Sequence, residues 1–112
     1  MDRKIQYYKN YFIDFYQSLD SATQRKIAYV IQYIKTEPRW NEKFVKFIRD
    51  GIFELRASHN GNIYRVFFIQ DEGNIVILFN GFQKKTQKTP RQEIEKAVKI
   101  KEQYYAEQQQ PT

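Results

Sequence analysis

Apolar positions along the chain follow two different spacings, and the change from one to the other separates a helical first third from a strand-rich middle. Two sets of apolar residues have the i, i+3, i+4, i+7 spacing of one helix face: Phe12, Phe15, Tyr16 and Leu19, then Ile27, Val30, Ile31 and Ile34. Ser21 with Gln24 forms a capping-box pattern at the start of the second set. Pro38 disfavours helix at the residue before it, so this helix should end near Thr36. The pattern predicts a helical hairpin.

The middle of the chain predicts strands. Ile5 and Tyr7 alternate with polar neighbours and indicate a short first strand, whereas residues 38–51 are expected to be irregular. Three β-rich runs follow at residues 52–57, 63–69 and 75–82. Asn60-Gly61 separates the first two runs and is a strong signal for a hairpin with a type I′ turn. The third run is apolar on both faces, which is typical of a central strand.

The end of the chain predicts one more helix. Thr89 as N-cap, Pro90 at the first helical position and Gln92 two residues later form its start. Its packing face consists of four residues: Ile94, Ala97, Val98 and Tyr105. We therefore expect a single α+β domain over residues 1–106, followed by a frayed polar tail at residues 107–112.

Composition excludes several classes of protein. The 112 residues are enough for one core, and 17% of them are aromatic. The absence of cysteine excludes disulfides and thiolate nucleophiles, and a single histidine, His59, argues against a zinc site. No metal and no cofactor is therefore predicted. The N-terminus does not resemble a signal peptide, and no apolar run is long enough to span a membrane, so we expect a cytoplasmic protein.

Positive charge is concentrated in the middle of the chain. The net charge is +6, and residues 56–91 alone contribute +4. Three lysines, Lys84, Lys85 and Lys88, lie between the third strand and the start of the last helix. A helix N-terminus adds free N–H donors and a partial positive charge to such a loop. This concentration favours a polyanion or an acidic protein as partner, although a merely soluble basic surface would also account for it.

The register of the predicted hairpin places two arginines opposite each other. A two-residue turn at Asn60-Gly61 pairs Arg56 with Arg65 on the face that also carries Glu54, and pairs apolar residues on the other face. Opposed like charges on a sheet repel, and this cost is understandable if an anion binds between the two guanidinium groups. Alternatively, Glu54 neutralises Arg56 while Arg65 pairs with an acid elsewhere.

Three segments of this chain together resemble the RelE/ParE toxin superfamily, and most of all its HigB-like, phage-derived host-inhibition branch. The segments are Phe53-Glu54-Leu55-Arg56, then Gly61-Asn62-Ile63-Tyr64-Arg65-Val66, then Asn80-Gly81-Phe82-Gln83-Lys84-Lys85-Thr86-Gln87-Lys88-Thr89-Pro90. The resemblance implies a small twisted antiparallel sheet with helices packed on one face. It also implies the toxin of a type II toxin–antitoxin pair, a metal-independent and ribosome-dependent mRNA endoribonuclease. The partners would be an antitoxin with a helix-turn-helix DNA-binding domain, the ribosome and mRNA. One branch inhibits DNA gyrase instead, and a non-catalytic RNA- or protein-binding module is a further alternative.

The resemblance also suggests roles for the cations. Arg65 matches the strand arginine of the superfamily and would bind the scissile phosphate, with Arg56 assisting. Lys84 or Lys85 could act as the base, since neighbouring cations lower a lysine pKa, and Lys88 would bind the RNA backbone.

The remaining candidates for the site are aromatic residues and the single histidine. His59 titrates near neutrality but could simply flank the turn. Tyr104 and Tyr105 could stack on a base or donate a proton, and packing of the last helix explains them equally well. Phe82 could stack on a nucleotide or close the core.

Overall fold

The computed structural model describes residues 2–86 and 90–109, which form one mixed sheet with helices on both faces. Within these residues the elements, in chain order, are β1 (Lys4–Tyr7), α1 (Tyr11–Gln17), α2 (Ser21–Thr36), β2 (Val45–Arg49), β3 (Ile52–His59), β4 (Asn62–Asp71), β5 (Ile75–Lys84) and α3 (Arg91–Gln108). The predicted α+β class is confirmed. No helix of the described residues is long and apolar enough to cross a membrane.

The sheet order is β1-β5-β4-β3-β2. The strands β2 to β5 form an antiparallel meander, but β1 pairs with β5 in parallel, so the sheet is mixed rather than wholly antiparallel as expected. The prediction that residues 75–82 form the central strand was also wrong, because β4 lies in the middle. Strand β5 is apolar on both faces because helices cover it on both sides.

Strand β2 was missed by the sequence analysis, which expected residues 38–51 to be irregular. It is an edge strand with a register shift between Phe47 and Arg49, and only Val45 of its five residues is buried. Phe47 remains 56% exposed. A strand that buries so little carries almost no period-two hydrophobic signal.

The hairpin between β3 and β4 has the predicted register. Asn60 and Gly61 both have positive φ, 52° and 77°, as a type I′ turn requires. Arg56 therefore pairs with Arg65, and Phe53 pairs with Phe68 at the other end of the hairpin. This register places both arginines on one face of the sheet.

Two cores lie on opposite faces of the sheet, so the expectation of helices on one face was wrong. On the face we call the α2 face, α1 and α2 cover β-strand residues such as Leu55, Val66 and Leu78. On the opposite face, the α3 face, α3 covers residues such as Phe67 and Phe79. Helix α3 contacts them with Ala97, Ile100 and Tyr104 rather than only with the predicted set.

The helix termini differ slightly from the prediction. The capping residue of α2 is Asp20, whose side chain accepts a hydrogen bond of 2.7 Å from the Thr23 N–H. Helix α3 begins at Arg91 after Pro90, and the predicted N-cap Thr89 lies outside the described residues. The helix continues through Gln108, and Glu107 pairs with Lys9 at 3.1 Å, whereas residues 110–112 of the predicted polar tail lie outside the described residues.

Candidate nucleic-acid interface

A buried carboxylate holds the two opposed arginines together. Glu54 is only 1% exposed, and its Oε1 lies 3.4 Å from Arg65 Nε and 3.5 Å from Arg56 Nε. The alternative interpretation of the sequence, in which Glu54 pairs with Arg56 alone and Arg65 needs another acid, is wrong. One carboxylate instead serves both guanidinium groups, so the arrangement keeps a net positive charge.

The two arginines differ in their access to solvent. The Arg65 side chain is 9% exposed and its Nη1 donates to the Tyr64 carbonyl at 3.2 Å. The Arg56 side chain is 27% exposed and its Nη1 donates to the Glu42 carbonyl at 3.1 Å. Burial, and then the charge of Arg56, lower the pKa of Arg65, whereas Glu54 opposes the shift. Arg56 is the more accessible of the two to a ligand.

Two lysines complete a group that we call the cationic cluster: Lys46, Arg56, Arg65 and Lys84. In the backbone register of the sheet, Lys46 on β2 lies opposite Glu54 on β3, and Lys84 on β5 lies opposite Ile63 on β4. Both lysines therefore lie on the α3 face. Burial, then the charge of Arg65, with smaller effects of Arg56 and Lys46, lower the pKa of Lys84, and Glu54 partly offsets them. The amine is thereby brought closer to the pH range in which it can accept a proton.

Phe82 is adjacent to the cluster. It pairs with Arg65 across β4 and β5, and its ring centroid lies 5.5 Å from that of Phe67. The ring therefore closes the core of the α3 face and borders the cations at the same time. Lys85 is exposed directly after β5, and Lys88 lies outside the described residues.

His59 lies on the opposite face from the cationic cluster. Every second residue of β3 shares a face, so His59 lies on the same face as Leu55 and Ala57, which is the α2 face. There, a charge on His59 would act on Asp20, at the start of α2. Alternation along the strand already contained this information, since residues 56 and 59 cannot share a face of a regular strand. The structure does not bring His59 together with the arginines.

Tyr104 and Tyr105 lie at the far end of β4. Their hydroxyl groups donate to the two carboxylate oxygens of Asp71, at 2.7 and 3.2 Å. Asp71 is six residues from Arg65 along the strand, about 20 Å away at a rise of ~3.3 Å per residue. Burial and the hydrogen bond to Asp71 raise the pKa of Tyr104 to about 12. Both tyrosines fasten α3 to the sheet and are remote from the cluster.

An open cleft, which no pattern in the sequence predicts, adjoins the cationic cluster. It encloses about 600 Å³ where β3 extends beyond its pairing with β2. Its lining residues come from α2, the segment before β2, and the hairpin: Lys26, Tyr29, Val30, Lys43, Phe44, Arg56, Ala57, Ser58, Ile63 and Arg65. Four of these residues are cationic and none is acidic.

Two solved structures of RelE toxins have a similar fold. A mutant of the Escherichia coli toxin RelE with two arginines replaced by alanine, in the free state, superposes with a TM-score of 0.56 and 14% identity, covering 72% of this chain and 82% of that one. The archaeal RelE–RelB complex from Pyrococcus horikoshii OT3 gives a TM-score of 0.53 and 19% identity, covering 80% of this chain and 100% of that one. The domain therefore has the RelE-like toxin fold.

The sequence itself defines the family. Residues 14–102 match the model of the family described as phage derived protein Gp49-like (DUF891), so the chain belongs to this family. No curated protein is significantly similar to the sequence. The matched span includes the cationic cluster and most of α3.

Proposed function

We propose that this protein is the toxin of a type II toxin–antitoxin pair and acts as a metal-independent, ribosome-dependent mRNA endoribonuclease. The RelE-like fold and the phage-derived family support a toxin. The observation that carries the enzymatic part is the cationic cluster, in which Lys84 and two arginines lie beside one buried carboxylate. Such a group of cations suits a phosphate whose negative charge increases during the reaction.

The reaction requires two proton transfers and charge stabilisation. The 2′-oxygen attacks the adjacent phosphorus and loses its proton to a base, and the bond from phosphorus to the 5′-oxygen breaks as an acid protonates that oxygen. The products are a 2′,3′-cyclic phosphate and a 5′-hydroxyl end. Arg56 contacts the phosphate, and the less exposed Arg65 adds positive charge beside it. Lys84 and Lys85 are the candidates for the proton transfers, with Lys84 favoured as base by its lowered pKa.

The proposed partners are the ribosome, mRNA and an antitoxin. One of the similar structures is a RelE–RelB complex, which supports a small inhibitory partner for this chain as well. We further propose that this antitoxin carries a helix-turn-helix DNA-binding domain, as in the HigB-like branch. Action on the ribosome places the protein in the cytoplasm.

Induction of the gene tests this function. The wild-type protein should arrest growth and produce new mRNA 5′ ends within translated regions, and these ends should disappear when translation is blocked. Lys84→Ala should abolish the cuts. Lys99→Ala is the matched control, because Lys99 is an exposed lysine on α3 outside the cationic cluster.

Two results would contradict the proposal. Cuts that occur equally on ribosome-free RNA would exclude ribosome dependence. Growth arrest without any cuts, retained by Lys84→Ala, would favour inhibition of DNA gyrase, because binding to gyrase does not require a phosphate-activating cluster.

A further inference from the structure

The cleft beside the cationic cluster has a base-sized aromatic surface that the folding of the domain does not require. Tyr29 is 65% exposed although it lies in the middle of α2. The residues that pack α2 onto the sheet are Thr23, Ile27, Val30 and Ile34, and Tyr29 is outside this stripe. Its ring meets Phe44 edge to face at a centroid distance of 6.4 Å, which leaves a face of Tyr29 available to a ligand.

The electrostatics of the cleft select a negatively charged ligand. Lys26, Lys43, Arg56 and Arg65 line it, without an acidic residue among the lining side chains. Lys43 Nζ lies 5.5 Å from the centre of the Phe44 ring, so a cation and an aromatic ring are in contact in this cleft. A positively charged groove with interleaved aromatic rings is the usual surface for single-stranded nucleic acid.

Arg56 and Arg65 belong both to the cationic cluster and to the wall of the cleft. A phosphate held by these arginines therefore has the cleft immediately beside it. The volume of about 600 Å³ is within the range of about 300–1,000 Å³ that is typical of small-ligand sites. The exposed side chain of Ile63 supplies an apolar contact in the same cleft.

We propose that this cleft binds one unpaired nucleobase of the RNA, next to the phosphate held by Arg56 and Arg65, by stacking on Tyr29. This inference rests on the proposed function, since it assigns a nucleotide subsite to the same RNA substrate. Lys26 and Lys43 bind the flanking phosphates. Tyr29 thus determines affinity and, together with the rest of the cleft, which base is preferred beside the cut.

The test compares the purified protein with variants in binding short single-stranded RNA, measured by the fluorescence of a 2-aminopurine base and by competition. Tyr29→Ala should weaken binding roughly 5- to 150-fold, as the loss of one stacked base does in other proteins. Tyr29→Phe should bind like the wild type because the ring is retained. Tyr7→Ala is the matched control, since Tyr7 is 56% exposed on β1 at the opposite edge of the sheet.

An RNA with an abasic position separates stacking from a general loss of affinity. If the wild type binds the abasic RNA as weakly as Tyr29→Ala binds the intact RNA, and Tyr29→Ala loses nothing further, the base contact is established. Mapping of the cuts in cells should also show a changed base preference beside the cleavage site for Tyr29→Ala.

Failure of this inference can be distinguished from failure of the proposed function. Equal RNA binding and equal cut preference by Tyr29→Ala and wild type would overturn the base subsite while cleavage persists. Loss of antitoxin binding by Tyr29→Ala with unchanged RNA binding would overturn it too and assign the cleft to the protein partner. A wild-type protein that neither binds nor cuts RNA would refute both.

Discussion

At the scale of single residues, Glu54 determines whether the cationic cluster can exist. Two guanidinium groups and two lysines would repel one another on a partly buried sheet face, and the single carboxylate lowers this repulsion without cancelling it. The site therefore remains attractive to phosphate while the sheet remains folded. Stability and anion binding depend on the same side chain.

Glu54→Gln should destabilise the protein strongly. Removing one partner of a buried ion pair leaves the other charge uncompensated, which costs about 3–5 kcal/mol. Urea unfolding monitored by circular dichroism measures the change in the free energy of unfolding. The control is Glu95→Gln, which breaks the exposed pair of Arg91 and Glu95 on α3 and should cost less than about 1 kcal/mol. Similar effects of the two substitutions would show that Glu54 does not hold the arginines.

Lys84 should give the reaction a pH dependence. Its pKa lies below the usual value of 10.5, so the fraction of neutral amine, the form able to accept a proton, rises as the pH increases through the alkaline range. Cleavage of ribosome-bound mRNA should accelerate with pH for the wild type, and Lys84→Arg should remove this acceleration, because arginine stays protonated. If the cleavage rate of Lys84→Arg still rises with pH, Lys84 is not the base and only binds phosphate.

At the scale of elements, strand β5, which carries Lys84, is positioned by contacts with two helices. Asn80 on β5 donates from Nδ2 to the Glu93 carbonyl and to Glu93 Oε1, each at 3.2 Å, and so ties the strand to the first turn of α3. Gly81, the next residue of β5, is covered directly by the Phe15 ring of α1. Contacts on both faces of the sheet thus determine where β5 delivers Lys84.

Gly81→Ala should push α1 away from the sheet. An added Cβ would overlap the Phe15 ring, so the ring must move, and overpacking of this kind costs about 1–3 kcal/mol. Thermal unfolding of Gly81→Ala, Phe15→Ala and the double variant tests the contact. The double variant should be less destabilised than the sum of the single ones, and strict additivity would contradict this explanation.

The tyrosine contacts of α3 should make stability fall in alkali. The pKa of Tyr104 is about 12 in the folded protein and 10.0 for the unperturbed group, so its contribution is complete below pH 10 and is lost as the pH rises toward 12. Tyr104→Phe should lower the free energy of unfolding by about 1.5–3 kcal/mol at neutral pH, as expected for a hydrogen bond to a charged acceptor. Its alkaline decline should be shallower than that of the wild type, as measured by urea unfolding at several pH values. An equally steep decline would contradict the assignment to Tyr104.

The elements differ in how far the sequence could predict them. The helices and the β3–β4 hairpin have complete hydrophobic periods, and the Asn60-Gly61 turn determines the register that opposes Arg56 and Arg65. The edge strand β2 could not be predicted, because a strand with mostly exposed residues has no alternation of apolar and polar positions. The shared role of Glu54 and the cleft at Tyr29 depend on tertiary contacts between distant segments, which no local pattern encodes.

At the scale of the whole molecule, the two faces of the sheet have different uses. Helices α1 and α2 cover the α2 face, while α3 covers the part of its face around Phe67 and Phe79. The cationic cluster lies on the α3 face nearer the β3–β4 turn, where Arg56 and Lys84 are reachable from solvent. The placement of the cations on one face agrees with the distribution of charge along the sequence, in which residues 56–91 contribute +4 of the net charge of +6.

RNA binding should depend steeply on salt. Each phosphate neutralised on a single strand contributes about −0.7 to the slope of log affinity against log salt concentration. Lys43→Gln, in the cleft, should make this slope shallower by about 0.7, and Lys99→Gln should leave it unchanged. Fluorescence titrations at several salt concentrations give the slopes. Identical slopes for Lys43→Gln and the wild type would exclude a phosphate contact at Lys43.

The parallel pairing of β1 with β5 has a consequence for synthesis on the ribosome. Lys4 pairs with Ile75, so the first strand leaves the ribosome roughly 70 residues before the strand beside which it must insert. The hairpins from β2 to β5 have short turns and can assemble earlier, but the sheet cannot close until β5 has emerged. The nascent chain thus has no complete sheet for most of its translation. The complete sheet forms only near the end of synthesis, when folding brings β5 beside β1.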